Sequence, residues 1–160
     1  IKLPIHLTSS VVKSLSSLVV YFRHLARPND FILIDEPELN LHPDNQILVA
    51  RLLARIVNKG FKVLISTHSD YIIREINNMI MLSPKTKITK EFQNKYHYAN
   101  NEILKPYQIG AYFFQYHPRK VQELPVDQTG FEVETIDKSI HDLNIRSEDL
   151  YFHLDNVAND

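Results

Sequence analysis

Three ionisable side chains stand where apolar runs end. Residues 31–34, FILI, lead straight into Asp35 and Glu36, and residues 61–67, FKVLIST, lead into His68. In open α/β sheets, ligands collect outside the carboxyl ends of the strands, where the chain leaves the core. One carboxylate at such an exit can hold a magnesium ion directly or through water, because Mg2+ takes oxygen ligands and keeps several waters. Its neighbour faces the other way along an extended backbone and is free to orient or deprotonate a water. Two acids and an imidazole at neighbouring strand ends suggest phosphoryl chemistry. The plainer alternative is a solvated acidic turn and a histidine that only caps a helix.

The three groups converge only if the two strands are parallel. Pro43 can open a helix that runs through residues 44–59 and stops at Gly60, in keeping with the proline-start, glycine-stop asymmetry of helices. Strand, helix and strand in that order make a right-handed βαβ crossover, which brings both carboxyl ends to one edge. FILI is continuously apolar, the pattern of a strand buried on both faces of a parallel sheet, and FKVLIST reads as another buried strand.

Upstream, Val11, Val12, Leu15, Leu18, Val19, Phe22 and Leu25 recur every three or four residues, predicting an amphipathic helix from Thr8 to Ala26 capped by Thr8, Ser9 and Ser10. Downstream, a helix over roughly 69–78 and the apolar piece MIMLS continue the α/β alternation. After Pro84 the polar stretch KTKITKEFQNKYHYANNE reads as an exposed loop. QIGAYFFQY and KVQELPV, joined at HPR, read as a hairpin, with Tyr107, Tyr112, Phe113, Phe114 and Tyr116 as its core rather than a stacking platform. Two short helices, VETIDKSIHDLN and SEDLYFHLDNV, are expected to close the chain. The fold class is therefore α/β: a parallel-sheet lobe over 1–84, followed over 85–160 by a loop, a small hairpin and closing helices of the same domain.

Composition narrows the function classes. A chain of 160 residues that is 44% hydrophobic can bury one real core. Eighteen basic residues against nineteen acidic ones leave no global field to draw it to nucleic acid or an anionic membrane. Any nucleic-acid contact must be local, and the basic KTKITK segment reads as a solvated loop. The absence of cysteine excludes disulfides and thiolate metal sites and is compatible with a reducing cytosol. No apolar run approaches the ~18 residues of a membrane span, and the start lacks a signal-peptide pattern, so no membrane role and a cytoplasmic location are expected. Only Gly60, Gly110 and Gly130 occur, and none lies in a G-x-x-x-x-G-K-[ST] loop. With isoleucine rather than methionine at position 1, a preceding segment is expected.

ILIDEPELNLHP followed by VLISTHSDYI resembles the Walker B, D-loop and switch-histidine segments of ABC-type ATPases, in particular the soluble prokaryotic branch with OLD-like and other AAA-type members. LTSSVVKSL stands where that branch carries its signature motif. The resemblance covers roughly residues 5–83 and, less specifically, the segment ELPVDQTGFEVETIDKSIHDLN. It implies a P-loop NTPase lobe, ATP and Mg2+ as ligands, and ATP hydrolysis. On that resemblance Asp35 is the magnesium-associated acid, Glu36 the catalytic glutamate and His68 the switch histidine facing the γ-phosphate. Ser9 and Ser10 would receive a γ-phosphate at a helix N-terminus, and Asn40 to His42 occupy the D-loop position at a dimer interface. Glu38 reads as a solvated or helix-facing carboxylate and Lys13 as a surface lysine.

Val11 stands where a glycine commonly follows the serine pair, and the sequence lacks the Walker A and glutamine loops, which the resembled family places N-terminal to these motifs. The chain is thus expected to be the C-terminal half of a bilobal nucleotide-binding domain, inactive as this fragment alone. Its partners would be the Walker A half of the same protein, a second copy across ATP, and DNA or a partner nuclease in genome maintenance or phage defence. Two rival functions remain: a degenerate ATPase lobe kept as an interaction scaffold, and a metal-dependent nuclease using Asp35, Glu36 and His68 directly.

Overall fold

A computed structural model describes residues 10–157. Their elements run α1 (Ser10–His24), β1 (Phe31–Asp35), α2 (Pro43–Asn58), β2 (Lys62–Ser66), α3 (Asp70–Met81), α4 (Lys87–Lys95), two 3-10 turns at Asn100–Glu102 and Pro106–Gln108, β3 (Ala111–Gln115), β4 (Lys120–Leu124) and α5 (Glu134–Val157). No helix among the described residues is long and apolar enough to cross a membrane. Two compact units form: the described residues through Ile109 together with Val126–Gly130, and Gly110–Pro125 with the described residues from Phe131 onward.

In the first unit β1 and β2 pair in parallel, with Phe31 opposite Lys62 and Asp35 opposite Ser66. Alternation sends Ile32, Ile34, Val63 and Ile65 to one face, where they meet Leu41, Val49, Leu53 and Ile56 together with Tyr21 and Phe22 of α1. Phe22 meets Phe61 edge to face, with ring centroids 5.4 Å apart. The far side of α2 packs on α3 through Ala50, Ala54, Ile72, Met79 and Ile80, with Leu104 closing that cluster. Pro43 sits in the first turn of α2 as its sequence demands. Past its other end Gly60 takes a φ of +93°, the left-handed conformation that glycine adopts without a steric cost.

The opposite face of the sheet is bare. Phe31 is 64% exposed, Leu33 68% and Leu64 49%. Among the described residues no third strand pairs with either β1 or β2. A parallel sheet is ordinarily covered on both faces, so this face is the half of the sequence expectation that the described residues do not satisfy.

Beneath α2 and α3 lies a polar cluster. Glu75 accepts from Arg51 Nε at 2.6 Å, Tyr98 Oη at 3.0 Å and Asn78 Nδ2 at 3.1 Å. Burial and the neighbouring Glu75 carboxylate push the Tyr98 hydroxyl up to about 12. Glu102, 1% exposed, accepts from Arg55 Nη2 at 2.6 Å and from the Ala99 amide at 2.7 Å.

Four local expectations are corrected. MIMLS does not stand apart: Met79 and Ile80 are the last buried turn of α3, in phase with Ile72 and Ile73. Inside the polar stretch after Pro84, Thr86 and Thr89 form a capping box that starts α4, a helix with no buried residue whose apolar positions Ile88, Phe92 and Tyr96 recur every four residues among charged and polar ones. The two closing helices are one, α5, because no proline or glycine interrupts residues 134–157. Finally, Tyr107, Tyr112, Phe114 and Tyr116 are 79%, 55%, 74% and 72% exposed. Tyr107 lies before the hairpin in a 3-10 turn. In the antiparallel β3–β4 pair, alternation turns Tyr112 and Phe114 away from the half-buried side that Phe113 occupies.

Candidate active site

The acid pair is set by the way β1 ends. Asp35 is the last strand residue and lies opposite Ser66, whose hydroxyl donates to Asp35 Oδ1. Glu36 then takes a φ of +44°, which for a residue with a Cβ costs on the order of 1–3 kcal/mol and persists only when its surroundings over-determine it. They do so here: the Glu36 amide donates to Ser66 O at 3.0 Å, Pro37 is buried, and the Leu39 and Leu41 amides return to Glu36 O and Glu38 O at 3.0 Å each. The expectation that alternation along an extended strand separates Asp35 from Glu36 is therefore replaced by a tight turn at Glu36.

That turn brings Glu36 Oε1 to 4.0 Å from Nε2 of His68, with the two side chains 43% and 90% exposed. The separation exceeds a direct hydrogen bond and leaves both groups able to address one atom placed beside them. His68 lies just past β2, and Ser69 caps α3 by accepting from the Ile72 amide at 3.2 Å. The helix-capping alternative thus falls to Ser69, and the imidazole is left facing solvent and Glu36.

The remaining expected site residues are less gathered. Ser9 lies outside the described residues, and Ser10 is described only as the first residue of α1. Asn40 is exposed with a φ of +61°. His42 is the N-cap of α2, its Nδ1 3.4 Å from the Asp44 amide. Both stand on the segment between the acid pair and α2.

Sequence reasoning underrated Glu38. It is neither solvated nor turned to a helix: Oε1 accepts from Thr67 Oγ1 at 2.7 Å and from the His68 amide at 2.8 Å, while Oε2 is buried with no partner among the described residues. The missed signal was positional, because a carboxylate two residues past the acid pair, beyond a turn, falls level with the polar tail of the adjacent parallel strand.

A hard cation fits this rim. Among the described residues no three His, Asp or Glu side chains gather as a cage, and Mg2+ needs none, since one or two carboxylates suffice when phosphate oxygens and waters complete the shell. The exposed Asp35 carboxylate, engaged among the described residues by the Ser66 hydroxyl, retains lone pairs for that purpose.

Residues 1–73 match the AAA ATPase domain family. The match spans the acid pair, Glu38 and His68, covers less than half of the chain, and supports a P-loop AAA-type ATPase relationship with ATP binding and hydrolysis in general. No curated protein and no solved structure matches the chain.

Proposed function

We propose that the chain carries the hydrolytic rim of an ABC-type, OLD-like ATPase, the C-terminal half of a nucleotide-binding domain whose phosphate-cradling loop lies on a preceding segment. The observation that carries this reading is the parallel β1–β2 pair with Glu36 and His68 meeting at its carboxyl edge, 4.0 Å apart. The bare sheet face supports it. Phe31, Leu33 and Asp35 share that face with Lys62, Leu64 and Ser66, so a covering half would arrive beside Asp35.

In this reading Asp35 and the Ser66 hydroxyl hold the cation side of the nucleotide. Mg2+ bound there with ATP supplies charge neutralisation at the phosphate oxygens. Glu36 orients a water against the γ-phosphorus and takes its proton as the new P–O bond forms and the bond to the β-phosphate oxygen breaks, leaving ADP and phosphate. His68 donates from its imidazole to a γ-phosphate oxygen. The Ser9–Ser10 helix start and the Asn40–His42 segment serve a second copy across the nucleotide, so ATP holds two protomers together until it is cleaved. Acting on DNA or alongside a nuclease, in genome maintenance or phage defence, is the setting in which such a clamp would work.

The test is steady-state ATP hydrolysis by the full-length protein. Glu36→Gln and His68→Ala should each lower kcat by about 10²-fold or more, the contribution of a positioned proton-transfer or charge-stabilising group, while the fold melts unchanged. Turnover equal to the parent in both variants would remove the reading.

A further inference from the structure

The carboxylate of Glu38, two residues past the acid pair, reaches across to the residues that carry the histidine. Its Oε1 takes two hydrogen bonds from the far side of the rim, from the Thr67 hydroxyl at 2.7 Å and from the His68 amide at 2.8 Å. From Thr67 the connections continue. The Ser69 amide donates to Thr67 Oγ1 at 3.0 Å, Ser69 Oγ to Gln46 Oε1 at 2.5 Å, and Gln46 Nε2 to Leu41 O at 2.9 Å. Leu41 in turn donates its amide to Glu38 O at 3.0 Å. The circuit closes, tying the segment after Glu36 to the end of β2, the first turn of α2 and the cap of α3.

Two features of this circuit point past mere packing. The bond to His68 is made by the backbone, so it fixes where that residue begins while leaving its side chain 90% exposed. The second oxygen, Oε2, is buried without a donor among the described residues. An acid that needed only to fill space here would be replaced by a neutral side chain at a gain, since an unpartnered buried acceptor is costly.

We propose that Glu38 is a positioning residue of the rim: its carboxylate anchors the His68 backbone and so sets the imidazole opposite Glu36. This rests on the reading of Glu36 and His68 as the hydrolytic pair. The general physics favours a large effect, since a misplacement of about 1 Å by a residue outside the chemistry can lower a rate by about 10²-fold. Glutamine at this position keeps one oxygen able to accept from both Thr67 and His68, whereas alanine keeps none.

Four variants of the full-length protein decide the matter, with ATP turnover and the hydrogen-exchange rate of the His68 amide as readouts. Glu38→Ala should lower kcat by about 10²-fold with little change in KM and should speed exchange at His68. Glu38→Gln should restore most of both. Thr67→Val, which removes one donor and leaves the acid, should fall between them, and it carries the test if Glu38→Ala fails to melt cooperatively. The proposal is overturned if Glu38→Ala leaves His68 exchange slow, or if it leaves kcat untouched while His68→Ala abolishes turnover. It is equally overturned if Glu38→Gln is as damaging as Glu38→Ala, which would mean that the charge itself acts. If His68→Ala has no effect on turnover, the hydrolytic pair is what fails, and fast exchange in Glu38→Ala still establishes the anchor as a structural fact.

Discussion

Glu36 and Glu75 belong to one compact unit and are held in opposite ways. Glu75 is 4% exposed and collects donors from Arg51, Asn78 and Tyr98. Glu36 has a strained backbone, a half-open side chain and one ionisable neighbour at 4.0 Å. The interior saturates its carboxylate; the rim leaves one available. Groups whose bonding is complete serve stability, and groups held in place yet incompletely bonded are the ones a ligand can complete.

The comparison is broken most easily from the interior. Glu75→Ala leaves the Arg51 guanidinium, whose side chain is 20% exposed, and the Tyr98 hydroxyl without their acceptor. Removing one partner of a buried ion pair costs about 3–5 kcal/mol, so the urea midpoint should fall sharply. Glu36→Ala should stay within about 0.5 kcal/mol of the parent. Comparable losses from the two would show that both carboxylates serve the same end.

A second contrast divides the two faces of the β1–β2 sheet. In this chain alone Leu33→Ser and Leu64→Ser should shift stability by no more than about 0.5 kcal/mol, because both side chains already meet water. In the full-length protein, where the proposed preceding half covers them, each should cost about 1.5–3 kcal/mol, the worth of burying a leucine. Equal, small effects in both settings would leave the bare face without a cover.

Much of this arrangement is legible in the residues and some is not. Pro43 and Gly60 bracket α2, and FILI and FKVLIST identify the strands, because start and stop signals and β-forming apolar runs agree there with the tertiary structure, although only one face of the sheet is covered. Extension of α3 through Met79 and Ile80 is harder to see, since MIM is as apolar as a strand and only its phase with Ile72 and Ile73 marks it as helix. Helix α4 buries no residue, and its period of Ile88, Phe92 and Tyr96, the last two stacked at 6.0 Å, is short and set among lysines, asparagines and threonines, so the polar composition of the stretch hides it. Glu38 escaped notice for a different reason. Its partners Thr67 and His68 lie 29 and 30 residues away, and only the strand register, not the local sequence, brings them level.

The interior also predicts a pH response. Tyr98 is raised from 10.0 to about 12 by burial and by Glu75, so the fold favours its protonated form. That contribution is complete below pH 10, where folded and unfolded chains both hold the proton, and it is lost as pH climbs to about 12, because the unfolded chain releases the proton first. Denaturation followed across this window should show a decline in stability that Tyr98→Phe flattens. An unchanged slope in the phenylalanine variant would place the alkaline transition elsewhere.

The smallest expected effect tests the rim most directly. At a φ of +44°, Glu36 carries a steric cost of about 1–2 kcal/mol that any residue with a Cβ shares and glycine avoids. Glu36→Ala retains that cost and Glu36→Gly sheds it, while the greater freedom of glycine in the unfolded chain gives part of the gain back. The glycine variant should therefore be the more stable of the two by about 0.5–1 kcal/mol, although both lack the carboxylate and should be equally slow in ATP turnover. Such a result would mean that the chain keeps a less stable residue at the turn for the sake of its side chain, the trade expected of a reacting group and not of a solvated acidic turn. Identical melting of the two variants would show that the turn holds no strain, and the contrast with Glu75 would then rest on bonding alone.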